Sequence, residues 1–117
     1  MADRLRSAFN GRDLNALGAL LAPDATWGDD PDSPGYCHDR NHIVATYRRL
    51  LDGGVSGSML DTTTGPNGIA GLVEVQWSED ESGRGPRFYQ VFLVTDGLIV
   101  HIEGHDDKDT ALAVISA

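Results

Sequence analysis

The stretch Phe88-Tyr89-Gln90-Val91-Phe92-Leu93-Val94 constrains this chain more than any other. All but Gln90 are apolar or aromatic, and a strand sends successive side chains to opposite faces, so both faces of this strand must be shielded from water. Helices can cover one face. A partner subunit is the simplest cover for the other, so a homodimer through the outer sheet face is expected. The strand spans Arg87 to Thr95, and Asp96-Gly97, a strong two-residue hairpin signal, leads it into a partner from Leu98 to Gly104. Upstream, Val55 to Thr64 reads as a strand closed by Gly65-Pro66-Asn67-Gly68. Ile69 to Ser78 follows, with Gly71, Val73, Val75 and Trp77 alternating against Leu72, Glu74 and Gln76. Glu79 to Pro86 is a polar connection.

The first half of the chain has helical spacing. Leu5 and Phe9 share a face in a first helix over residues 2 to 10, with Gly11 as its cap. Asp13 caps a second helix whose stripe of Leu14, Leu17, Leu20 and Leu21 runs until Pro23. Ala25 to Gly28 is a short strand, and Asp29 to Asp39 a loop holding Pro31, Pro34 and Gly35. Asp39 caps a third helix to about Leu51, stopped by Gly53-Gly54. A last helix is expected from about Asp107 to Ile115.

Composition narrows the possible partners. The formal net charge is −9, from 18 acidic and 9 basic residues, and the basic ones are scattered apart from Arg48-Arg49. An acidic surface opposes the phosphate contacts on which nucleic-acid and anionic-membrane binding rest, so neither partner is expected. Cys37 is the single cysteine, which rules out an internal disulfide and fits a reducing compartment. No apolar run approaches the roughly 20 residues of a membrane span, and Asp3, Arg4 and Arg6 interrupt any apolar leader. A soluble, cytoplasmic protein of one domain, residues 1–117, is expected.

Helices followed by an antiparallel meander, with a short strand inserted between the second and third helices, describe a curved sheet wrapped around a helix. The cone between them is a pocket. This order resembles the nuclear-transport-factor-2-like superfamily, particularly its bacterial SnoaL-like and ketosteroid-isomerase-like members. The local text carries the likeness through Phe9-Asn10-Gly11-Arg12-Asp13-Leu14, Leu21-Ala22-Pro23-Asp24-Ala25-Thr26-Trp27, Asp39 to Arg48, and Asp96-Gly97-Leu98-Ile99-Val100. It implies an α+β fold, a cone-shaped barrel of curved, mostly antiparallel sheet around helices, cystatin-like in outline. The likeness is specific for fold and weak for chemistry, because the superfamily holds isomerases, cyclases, epoxide hydrolases, dehydratases and simple binders.

In the ketosteroid-isomerase-like members the general base lies two positions beyond the residue matching Trp27, which implies Asp29 here. Asp30-Pro31 competes, because those members have Pro directly after the base. Tyr47 matches a Tyr of their oxyanion network. The main oxyanion Tyr falls near Leu5 and the protonated carboxyl near Val91, so steroid-isomerase activity itself is not expected. The residues themselves suggest the same pair. A carboxylate beside an aromatic wall and partly removed from water becomes a better base, and a tyrosine hydroxyl can donate to a ligand oxygen. Asp29 and Asp30 have the competing role of solvating a loop, and Tyr47 that of a core aromatic.

Trp27, Trp77, Tyr89, Val91 and Ile102 are the expected apolar contacts of the substrate. Asp30 and Asp61 are the additional polar ones, Asp61 being equally able to point outward. His101, Glu103 and His105 share one strand face opposite Ile102, placing them on the outer surface or at a subunit contact. Neither that set nor Asp29, Asp30, Cys37 and His38 has recognised metal-ligand spacing, so no metal and no cofactor are expected. The expected function is proton-transfer chemistry such as isomerisation, cyclisation or dehydration of an apolar organic substrate, with Asp29 as base. The alternatives are a non-catalytic small-molecule binder and a dimeric interaction module of the same fold.

Overall fold

The computed structural model describes residues 1–76 and 87–116. In chain order the elements are α1 (Ala2–Asn10), α2 (Leu14–Ala19), β1 (Leu21–Trp27), α3 (Arg40–Asp52), β2 (Ser56–Gly65), β3 (Gly68–Gln76), β4 (Arg87–Thr95), β5 (Leu98–His105) and α4 (Lys108–Ser116). The strands form one sheet in the order β1-β5-β4-β3-β2, antiparallel except for the parallel pair β1 and β5. The sheet is open, with β1 and β2 as its edges. Irregularities in β1, at Leu60 between Met59 and Asp61 in β2, and at Val100 in β5, opposite Leu93 and Val94, break the ladders. Such bulges bend the strands that carry them.

The central strand β4 is buried on both sides, as its sequence requires. Phe92 packs with Ile69, Ile99 and Ile102 in the core shared with α1, α2 and α3, while Val91 packs with Ala70, Ala111 and Ile115 beneath α4. Both Val91 and Phe92 are 0% exposed. The cover ascribed to a partner subunit is therefore supplied over Val91 by the chain's own last helix. Contacts with the β2–β3 turn help dock that helix. Asn67 in the β2–β3 turn donates its backbone N–H to the Ile115 carbonyl at 3.0 Å, satisfying an acceptor at the helix end. The same carbonyl passes so close over Gly65 that an added Cβ would sit 2.5 Å from its oxygen, which leaves room for glycine alone.

The helical stripe expected to reach Pro23 stops earlier. α2 ends at Ala19, and Leu21 already belongs to β1 and is paired with Ile99. Pro23 disfavours helix in the residue before it, and the Leu20 carbonyl accepts from the Ile99 N–H at 2.8 Å instead of continuing a helical ladder. A proline is tolerated here because β1 is an edge strand. The hairpin signal is realised with φ of 52° at Asp96 and 81° at Gly97. Asp39 caps α3 through the His42 N–H at 2.8 Å, and Asp13 caps α2 through the Ala16 N–H at 3.1 Å.

The turn from α1 to α2 has a distinctive geometry. Gly11 is in the right-handed region at φ −80°, and Arg12 takes the left-handed conformation at φ 54°. The Arg12 N–H donates to the Phe9 carbonyl and the Asp13 N–H to the Ala8 carbonyl, the bonding pattern of a Schellman motif. Its left-handed position, which usually holds glycine, holds an arginine in this chain.

α1 is tied to the bulge of β2 by side chains. The Asn10 carboxamide accepts from the Met59 N–H at 2.6 Å and donates to the Met59 carbonyl at 3.1 Å, and Arg6 donates to the Met59 and Leu60 carbonyls. These bonds satisfy backbone groups near the interrupted part of the β2–β3 ladder. Asn10→Ala should lower stability by about 1–2 kcal/mol, measured as a shift in the denaturant midpoint at unchanged slope. No shift would mean that water replaces the amide at no cost.

Candidate functional site

Between the three N-terminal helices and the sheet lies a cavity of about 100 Å³. Phe9 and Leu17 wall it from α1 and α2, Trp27 from the end of β1, Tyr47 and Leu50 from α3, and Val73, Val75 and Phe88 from the sheet. Its polar side chains among the described residues are those of Arg12, Tyr47, Ser56 and Gln90, and no Asp or Glu is among them. Space of this size accepts several waters or a single small ring.

Helical geometry on α3 brings Tyr47 inward. Its ring stacks on Trp27, with centroids 4.5 Å apart and planes at 19°, and meets the edge of Phe9 at 6.2 Å. Its hydroxyl donates to the Gln90 carbonyl oxygen at 3.4 Å, a long bond. Burial pushes the phenol well above its ordinary value; the Gln90 hydrogen bond opposes this, and the nearby Cys37 adds to it. Tyr47 is therefore a persistent proton donor in this site. Gln90 is only 4% exposed, and beyond its bond to Tyr47 the rest of the amide has no protein partner among the described residues.

The sequence-predicted residues divide into several groups. Trp27 and Tyr47 meet at the cavity wall. Asp29 and Asp30 are exposed in the bend after β1 and are not part of the cavity lining. Asp30 has a conformational role there: its carboxylate accepts from the Asp32 N–H at 3.0 Å and its carbonyl from the Ser33 N–H. Asp61 is exposed on β2, where its carboxylate accepts from the Thr62 N–H. Tyr89 and Val91 lie on the opposite face of β4, packed with α4, because they alternate with Phe88 and Gln90. Ile102 is in the core on the cavity side without lining the cavity. Trp77 lies outside the described residues.

The loop carrying the two aspartates is closed at its base. Trp27 and Cys37 exchange both backbone hydrogen bonds, at 3.0 and 2.9 Å, and the Gly28 N–H donates to the Ile102 carbonyl. Gly28 has φ 141°, and a Cβ there would sit 2.6 Å from the Tyr36 ring, so the crossing requires glycine. The Cys37 thiol is buried against the Thr46 hydroxyl at 3.3 Å.

On the outer face, Thr26, His101, Glu103 and His105 form a continuous row. The Thr26 hydroxyl is 2.7 Å from His101 Nδ1, and Glu103 is 3.6 Å from His101 Nε2 and 2.6 Å from His105 Nε2. No group of three or more metal-ligating side chains is assembled among the described residues.

Gln90 is the main residue that sequence inspection passed over. A signal was present, since it interrupts the otherwise apolar and aromatic run Phe88 to Val94 of the central strand, and buried amides need partners. Arg12 had no comparable signal, because its place at the cavity comes from the α1–α2 turn.

Comparison with known proteins agrees with this architecture. The family model of the SnoaL-like domain matches residues 2–102, and the chain belongs to that family. Among solved structures, a provisionally named polyketide cyclase from Sinorhizobium meliloti is similar, with 19% identity and a TM-score of 0.69 over 89% of this chain and 92% of that one. A nuclear-transport-factor-2-like protein of unknown function from Burkholderia pseudomallei has 25% identity and a TM-score of 0.65 over 99% and 95%. A provisionally named ketosteroid isomerase from Kribbella flavida has 23% identity and a TM-score of 0.64 over 88% and 72%. No curated protein matches.

The Tyr47 phenol supplies a pH test of the site. Because its pKa is raised in the folded state, its contribution to stability is intact below the ordinary tyrosine range near pH 10 and is lost as pH rises above it. The stability difference between the wild type and Tyr47→Phe should shrink by about 1 kcal/mol between about pH 8 and about pH 11, measured by chemical denaturation. A constant difference would show that the phenol ionises as readily in the folded chain as in the unfolded one.

Proposed function

We propose that this protein is a small-molecule enzyme of the SnoaL-like kind, carrying out cofactor-independent isomerisation, cyclisation or dehydration on a small, mostly apolar organic substrate. The observation that carries the proposal is the cavity: its walls are hydrocarbon apart from a few polar side chains, and on it the partly buried Tyr47 is bonded to the buried Gln90, a pair suited to holding an oxygen. In such surroundings a single well-placed donor orients a substrate and polarises its carbonyl. Tyr47 stays protonated and acts by donation. Asp29, which follows the wall residue Trp27 by two positions, is the proposed base that takes the proton from carbon and returns it elsewhere on the substrate. The names of the Sinorhizobium and Kribbella structures point to the same range of chemistry.

A non-catalytic binder using the same cavity is the alternative. It is favoured by the exposure of Asp29 and by the lack of a carboxylate in the lining among the described residues. Pairing of two copies through the outer sheet face, where Leu72, Tyr89 and His105 remain half-exposed, belongs to the same proposal. Light scattering that shows a monomer at micromolar concentration would remove the pairing.

Turnover and binding of small cyclic ketones and lactones separate the two functions. With an enzyme, Asp29→Asn should cut turnover by roughly 100-fold or more while leaving binding within a few-fold, and Tyr47→Phe should weaken both. Binding to the wild type and to Asp29→Asn with no turnover in either would establish the binder.

A further inference from the structure

We propose that the cavity's ligand is a small ring acid, in which a hydroxyl or enol oxygen is held by Tyr47 and Gln90 and an anionic group of carboxylate type is held by Arg12. This rests on the small-molecule function proposed above and specifies its substrate class.

The inner end follows from hydrogen-bond accounting. With the Tyr47 hydroxyl donating to the Gln90 carbonyl oxygen, the pair is left with the amide N–H groups as donors and the phenol oxygen as acceptor. If the amide is turned over, Gln90 donates to the phenol oxygen, and the pair is left with the phenol O–H and the second amide N–H as donors and the amide oxygen as acceptor. Either way it offers a donor and an acceptor side by side. A hydroxyl or enol uses both; a plain ketone uses only the donor. Gln90 is 4% exposed, so an oxygen reaching it must come through the cavity.

The outer end follows from the turn between α1 and α2. Arg12, exposed at the cavity mouth, is the charged residue of the cavity lining among the described residues, and within them its guanidinium has no hydrogen-bond or ion-pair partner. The adjacent Asp13 carboxylate is engaged as the cap of α2. Arg12 also occupies the left-handed position of the Schellman motif, where a glycine would be unstrained. Backbone strain kept at the edge of a cavity, in a residue whose charge faces no internal partner, points to a ligand that uses the charge. In a chain of net charge −9, an isolated guanidinium beside an apolar cavity is a local site where an anion is attracted rather than repelled.

The size of the cavity, about 100 Å³, sets the body of the ligand at one ring or a short branched chain. The whole class is then a ring hydroxy acid, or a keto acid that enolises when bound.

Calorimetric titration with meta-hydroxybenzoate and with its neutral isostere meta-hydroxybenzamide tests the assignment in the wild type, Arg12→Gly and Gln90→Leu. The acid should bind the wild type about fivefold more tightly than the amide at low salt, with the ratio falling towards one at high salt. Arg12→Gly should abolish the preference without lowering the melting temperature, because glycine is at ease in the left-handed turn. Gln90→Leu should weaken both compounds by a similar factor. If both compounds bind the wild type with equal affinity, or if Arg12→Gly keeps the preference, the role of Arg12 is overturned while the cavity remains a small-molecule site. If neither compound binds the wild type, both the ring-acid assignment and the use of this cavity for small ring compounds are overturned.

Discussion

The burial of β4 on both faces governs the architecture. Val91 and Phe92 are adjacent in sequence and both fully excluded from water, so this strand has to be central, paired on each side, and covered above and below. α4 covers one face and the N-terminal helices the other. One polar side chain, Gln90, is caught inside this sandwich. An amide in that position costs about 1–3 kcal/mol if left unsatisfied, which a chain optimised for packing alone would avoid by placing a leucine there. Its place next to the cavity and Tyr47 is the feature by which the fold acquires a candidate site.

Much of the architecture could be read before the coordinates. The strand pattern of β4 and the Asp96-Gly97 turn are local signals, as are the aspartate caps of α2 and α3, and each appears where the local chemistry puts it. The start of β1 could not be read in this way. Leu20 and Leu21 continue a helical spacing, and only the distant pairing with Ile99 draws them into extended structure. The likeness to SnoaL-like proteins anticipated the family correctly, because the order of elements is a property of the whole chain.

The site was less legible, for a definite physical reason. Along a strand that is apolar on both faces, the alternation names two sides without saying which one adjoins a cavity, and Tyr89 and Val91, expected as substrate contacts, lie on the side covered by α4. Gln90 breaks the symmetry. Trp27 and Tyr47 were recognisable because a large aromatic at a strand end and a tyrosine on the inner stripe of a helix have few other places to go. The aspartate pair drew attention by its position, yet Asp30 is engaged in shaping the bend in which it lies.

The double hydrogen bond between Trp27 and Cys37 has a consequence for how such a protein can diversify. It clamps the two ends of the intervening excursion together, so that the walls on one side of the clamp and the chain on the other are mechanically decoupled. Residues between Asp29 and Gly35 can lengthen, shorten or change composition without moving Trp27, whereas Gly28 and Tyr36 are interlocked with the clamp itself. The excursion is thus a natural cassette, a place where evolution or a designer can exchange a loop beside Trp27 while leaving the cavity walls intact.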